Sequence, residues 1–225
     1  MTWSPKSPDF GLSKIWRFWS PQKHPMKLSP LDRVLLLLTG ILAAYQVAVG
    51  IDGFDTVPII AYTIAFGVLL VAGLLLIILG FDVLDSPVVV IVSTTIPLTL
   101  SLGLVWQYAS FGTSYLVFAV IGFLAVTLTR LIPTPGKIPT IVLAIVHGIA
   151  GMTIFLLPIV LSIQGNAHPM FSLVGVGGAL IGIGGLALSF LKAGKPILSK
   201  ELILKILPVI LFLMTLCFVV GFKYG

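Results

Sequence analysis

Seven apolar stretches dominate this chain, each about the roughly 20 residues a helix needs to cross a bilayer. They run over about 31–50, 57–80, 86–106, 113–131, 138–163, 170–191 and 201–222. The connections between them are short and rich in Gly, Asp, Pro and Ser, as in Gly50-Ile51-Asp52-Gly53, Phe81-Asp82-Val83-Leu84-Asp85 and Pro133-Thr134-Pro135-Gly136. Composition agrees: 58% of the 225 residues are hydrophobic and 9% are charged, against about 25% charged in a soluble domain. A chain of this size has no interior large enough to hide so much apolar surface, so lipid must act as part of its solvent. The expected fold is all-α: a polytopic bundle of about seven spans over 31–225, preceded by a tail over 1–30.

Local signals support these divisions. Asp85-Ser86-Pro87 opens the third span with a polar cap candidate and a proline in the first turn, where its missing N–H costs nothing. Gly136-Lys137-Ile138-Pro139 opens the fifth in the same way, and Glu201 and Lys205 stand four apart at the start of the seventh, in the favourable order.

Orientation follows from the cations. With seven spans, one side receives Lys6, Lys14, Arg17, Lys23, Lys27, Arg33, Arg130, Lys137, Lys192, Lys195, Lys200 and Lys205, and the other only Lys223. Lys and Arg favour the cytoplasmic side, so the N-terminus is expected there and the C-terminus opposite. The net charge of +6 is therefore explained by topology, and no basic face interleaved with aromatics points to nucleic acid. The sequence suits a plasma membrane or an internal energy-converting membrane equally.

The tail contains Pro5, Pro8, Pro21, Pro25 and Pro30 and lacks the continuous apolar core of a signal peptide. Trp3, Phe10, Trp16, Phe18 and Trp19 lie among its cations and suit the headgroup layer, as an anchor or as a docking arm. A parallel repeat of three spans, one linker span and three spans is a second organisational reading. Thr39-Gly40-Ile41 parallels His147-Gly148-Ile149, and Gly73-Leu74 parallels Gly185-Leu186.

Absences narrow the chemistry. No Asp or Glu lies mid-span, which argues against a proton or sodium carrier that relies on buried carboxylates. Cys217 is the single cysteine and is expected to be a small buried hydrophobe. No metal-spaced cluster, phosphate-cradling loop or dinucleotide fingerprint is present. An intramembrane hydrolase would have to bring Ser93 and His147 together from different spans. The chain is expected to be non-catalytic, with no cofactor.

The residues that remain have two readings each. His147 lies nine residues into the fifth span, about 13 Å along its axis, with Ala144, Ala150 and Gly151 nearby. It is either a packing histidine or a ligand to haem or chlorophyll; His24 and His168 fall on opposite sides and exclude an internal bis-histidine haem. Gly175, Gly178, Gly182 and Gly185 fall on one helical face, expected to be a close helix contact or a moving surface, so that Gly182→Leu would disrupt packing more than Gly184→Leu. Thr39 and Gln46 in the first span, and Ser93, Thr94 and Pro97 in the third, are interhelical glue or the lining of a path, with Pro97 a kink candidate.

Three functions follow as expectations. The first is an accessory or scaffold subunit of a larger membrane complex, with other subunits or further copies of itself as partners besides the bilayer. The second is a small transporter or channel for a neutral solute. The third is a haem- or chlorophyll-carrying subunit using His147.

Overall fold

The computed structural model describes residues 28–51, 53–132, 136–192 and 198–225. The aromatic and basic tail, Asp52 and the segments 133–135 and 193–197 lie outside the described residues, with the readings placed on them. The described chain forms seven α-helices, α1 Pro30–Val49, α2 Thr56–Leu79, α3 Pro87–Tyr108, α4 Gly112–Leu131, α5 Ile138–Ile163, α6 Ser172–Lys192 and α7 Lys200–Phe222, with short 3-10 turns at Phe81–Asp85 and Pro169–Phe171. No strand occurs among the described residues. All of these helices except α6 are long and apolar enough to cross a membrane. α6 has 21 residues, roughly 31 Å of helix, and its apolar part in the described chain ends at Gly185. The protein is thus an all-helical, multi-pass membrane bundle of about seven spans.

The ends of these helices have local causes. α1 begins one residue before the apolar run, because Ser29 and Asp32 form a capping box: the Asp32 N–H donates to Ser29 Oγ at 3.1 Å and the Ser29 N–H to Asp32 Oδ2 at 2.8 Å. Ser199 caps α7 by accepting from the Leu202 N–H at 3.2 Å. Ser86 occupies the cap position of α3 without a side-chain bond, so Pro87 is the stronger start signal there. Gly50 and Gly80 end α1 and α2 at φ 74° and 73°, a conformation that favours glycine. α3, α5 and α7 run unbroken through Pro97, Pro158 and Pro208.

Packing closes six of the helices into a cycle: α1 on α2, α2 on α3, α3 on α5, α5 on α6, α6 on α7 and α7 back on α1. α4 stands outside it against α3 and α5. Its other side is exposed and apolar at Val117, Val120, Ile121, Leu124 and Leu128, as a lipid-facing surface must be. Exchanging α1 with α5, α2 with α6 and α3 with α7 leaves the six contacts of the cycle unchanged, so the halves on either side of α4 are arranged alike. The paired tripeptides do not match within that arrangement. Thr39 and Gly40 are buried, whereas Gly148 is exposed; Gly73 is buried under the Leu36 carbonyl, whereas Gly185 is exposed. The correspondence lies in the order of helices and not in those residues.

The cation count yields a topology test. In a Cys217→Ser background, an impermeant thiol reagent applied to intact cells should label single cysteines at Phe111 and Asn166 and spare those at Lys137 and Lys200. Labelling of the Lys200 position from outside would overturn the expected orientation.

Candidate functional site

The polar side chains inside the helices turn mostly onto their own backbone. Thr39 donates to the Leu35 carbonyl at 2.9 Å, Thr94 to Val90 at 2.7 Å, Ser101 to Pro97 at 2.6 Å and Thr215 to Leu211 at 2.7 Å. All four residues are fully buried. Ser93 donates to the Val90 carbonyl at 3.1 Å, and Gln46 Nε2 to the Gly50 carbonyl at 2.7 Å, where it helps close the end of α1. Such back-bonds satisfy hydroxyls without calling on a solute.

The half of the cycle at the C-terminal end of α7 is filled by aromatic rings. Tyr62 and Phe66 of α2 meet Phe218 and Phe222 of α7, with centroids 4.5 Å apart for Tyr62–Phe222 and 6.4 Å for Phe66–Phe218. Phe171 meets Tyr108 of α3 at 5.3 Å and Phe222 at 6.2 Å. Tyr62, Phe66, Phe171, Phe218 and Phe222 are almost wholly buried. Leu69, Leu104, Ile154, Val174 and Met214 continue the same core. Sequence reasoning missed this seal. Its signal was the i, i+4 spacing of Tyr62 with Phe66 and of Phe218 with Phe222, but only the return of α7 onto α1, which also carries α2, brings the two pairs together.

Above the seal lies a depression of about 390 Å3, lined by Gly53, Phe54, Gln107, Tyr108, Asn166, Ala167, His168, Tyr224 and Gly225. Phe54 packs edge-on against both Tyr62, at 5.7 Å, and Tyr108, at 6.1 Å, so the floor of the depression rests on the seal.

The glycines of α6 divide between two partners. A Cβ on Gly175 would stand 2.5 Å from the Phe155 carbonyl oxygen, and one on Gly178 2.8 Å from Ile154, both on α5. Gly177 would meet Phe218 at 2.7 Å, and Gly184 would meet Ile210 at 3.6 Å, both on α7. The single contact stripe expected from sequence is corrected at its C-terminal end. Gly182 and Gly185 are exposed, and a Cβ on Gly182 meets no described atom within 4 Å. The cause is divergence of α5 from α6 beyond Gly178: Gly151 and Gly148, one and two turns before Phe155, have the same open space. Gly184, expected to be the tolerant position, is the buried one.

His147 is partly buried on α5, and its Nδ1 has no hydrogen-bond partner. The Leu143 carbonyl one turn back lies nearby without the geometry of a bond, and the Arg130 charge is within electrostatic reach. Arg130 Nε and Thr127 Oγ1 on α4 are likewise buried without partners. Ser93, the other half of the hydrolase pairing, has its hydroxyl on Val90. Among the described residues no three His, Cys, Asp or Glu side chains gather as a metal site. Cys217 is half-buried and unbonded to another cysteine.

No family model, curated protein or solved structure matches the chain.

Proposed function

We propose that this membrane protein is a non-catalytic structural subunit of a larger membrane assembly. One observation carries the reading: the middle of the bundle is filled with aromatic and aliphatic side chains, and its buried Thr and Ser hydroxyls bond their own helices, Tyr62 alone of the aromatic core keeping a buried hydroxyl without a partner. Such an interior suits holding a shape. A second reading, a carrier for a small neutral solute, is favoured by the like arrangement of α1–α3 and α5–α7. Parallel repeats of this kind occur in transporters that close and open around a central site. In that reading the aromatic seal is a shut outer gate.

Purification from native membranes in two mild detergents tests both. The structural reading expects the same other membrane chains in fixed stoichiometry in each detergent, a colourless preparation, and no uptake of neutral solutes when the pure chain is placed in vesicles. Solute uptake above that of protein-free vesicles would replace it with the carrier reading. A stoichiometric visible band lost in His147→Gln would replace it with the pigment reading. If His147 only packs, that variant should cost at most about 1–2 kcal/mol.

A further inference from the structure

Arg130 stands on the wrong side of its helix for a passive anchor. α4 buries the line Ala119, Gly122 and Val126 against α3 and α5. Arg130, four residues after Val126, continues that line, and the exposed apolar side with Val120, Leu124 and Leu128 lies away from it. The Cα–Cβ bond of a helical residue tilts toward the helix N-terminus, so the side chain sets out back into the span. It stays there: Nε is buried, and the charge is felt at His147, about 13 Å along α5 from its start. A snorkelling arginine would carry its charge the other way, into water.

The helices around this charge supply nothing to balance it. Neither α3 nor α5 contains Asp or Glu. Asp32, Asp82 and Glu201 stand on α1, on the turn Phe81–Asp85 and on α7, which are not the elements packed on α4. Among the described residues Arg130 makes no hydrogen bond and no ion pair. Its Nε is covered, but the residue as a whole is half-buried, which leaves the tip of the guanidinium open to a ligand. Thr127, three residues earlier and so on the same side, repeats the pattern. Its hydroxyl is buried and bonds no carbonyl, whereas Thr129 donates to the Ala125 carbonyl at 2.8 Å. An unpaired charge and an unpaired hydroxyl are both costly away from water. Both are donors, and an anion with several acceptor oxygens satisfies them together. Arg130 is also the penultimate residue of the span Gly112–Leu131, close to the headgroup layer where lipid phosphates lie.

We propose that the Arg130 end of α4, where it packs on α3 and α5, binds a phosphate group. The Arg130 guanidinium supplies the charge and a fork that matches paired phosphate oxygens, and Thr127 supplies a hydroxyl donor. Basic positions between helices at a membrane surface take lipid headgroups in this way, and a free phosphate compound offers the same oxygens. The site is independent of whether the protein is a structural subunit or a carrier.

The test is thermal unfolding of the full chain, stripped of lipid in detergent, with phosphatidylglycerol, diacylglycerol or inorganic phosphate added. At saturation a phosphate-bearing ligand should raise the midpoint by roughly 5 °C. A rise with the lipid alone assigns the site to a headgroup, and a rise with inorganic phosphate assigns it to a free phosphate compound. Diacylglycerol, which has the chains without the phosphate, should give no rise. Arg130→Gln should abolish the rise and, because it removes an unpaired charge, should unfold no lower than the native chain when no ligand is present. Thr127→Val keeps the shape, loses the hydroxyl and should weaken binding about fivefold. Lys200→Gln, an exposed cation at the start of α7, should keep the full rise. Asp85, just before α3, is the acid next in the chain to a helix that α4 touches. If it balanced Arg130, Asp85→Asn and Arg130→Gln would both lower the ligand-free midpoint. That result, no rise with either phosphate compound, an equal rise with diacylglycerol, or an undiminished rise in Arg130→Gln would each overturn the proposal.

Discussion

Gly175→Leu should lower the thermal midpoint of the purified protein sharply, while Gly182→Leu should leave it close to native. At Gly175 even a methyl group would lie 2.5 Å from the Phe155 carbonyl oxygen and 2.7 Å from Ile159. Backbone oxygen cannot move aside as a side-chain tip can, so α5 and α6 would have to part. Overpacking of this kind costs about 1–3 kcal/mol, and a leucine belongs at the upper end. In a chain of this length, a loss of about 3 kcal/mol is roughly 6–12 °C. At Gly182 the new side chain enters open space, and a change of at most about 0.5 kcal/mol is expected. Thermal unfolding in one detergent, followed by circular dichroism, measures both. Similar midpoints for the two variants would mean that α5 and α6 do not approach closely at Gly175.

The second large effect belongs to the aromatic seal. Phe218 is 1% exposed and faces Phe66, Phe222 and the backbone of Gly177. Phe218→Ala should cost about 3–5 kcal/mol, the usual range for emptying a phenylalanine site whose neighbours relax only partly. The same variant separates the two functional readings. If the rings are only a core, vesicles holding Phe218→Ala should remain as tight to glycerol as those holding the native chain, though the protein is less stable. If the rings are a gate, the variant should leak glycerol. A midpoint unchanged from native would show that the ring cluster does not form.

Much of the architecture was legible in the sequence, because crossing a bilayer leaves a coarse mark. The fifth span, expected over 138–163, is Ile138–Ile163, and the second, expected over 57–80, is Thr56–Leu79. Apolar length and short polar connections determine such limits with little help from packing. The faces were less legible. Gly175, Gly178, Gly182 and Gly185 share one stripe by spacing, yet only the first two lie against α5. Spacing along one helix says nothing about where its neighbour diverges. Gly177 and Gly184 lie off that stripe and face α7, which follows in the chain but chooses its face by tertiary packing. The depression beside Phe54 was illegible too. Phe54, Gln107, Asn166 and His168 come from three connections or helix ends that only the closed cycle brings to one place.

The position of α4 outside the cycle has a consequence in parity. A unit of three crossings leaves its two ends on opposite faces of the membrane, so an identical unit joined directly to it would enter upside down. One further crossing restores the sense. α4 meets that need by its presence, and packing constrains it along the line of Tyr115, Ala119, Gly122 and Val126, with Phe118 and Phe123 beside it. Its opposite side has only to be apolar. Were this crossing removed, α5–α7 would have to invert, and Lys200 and Lys205 would face the opposite leaflet from Arg33. The charges would then direct insertion one way while the α3–α5 and α7–α1 contacts required the other.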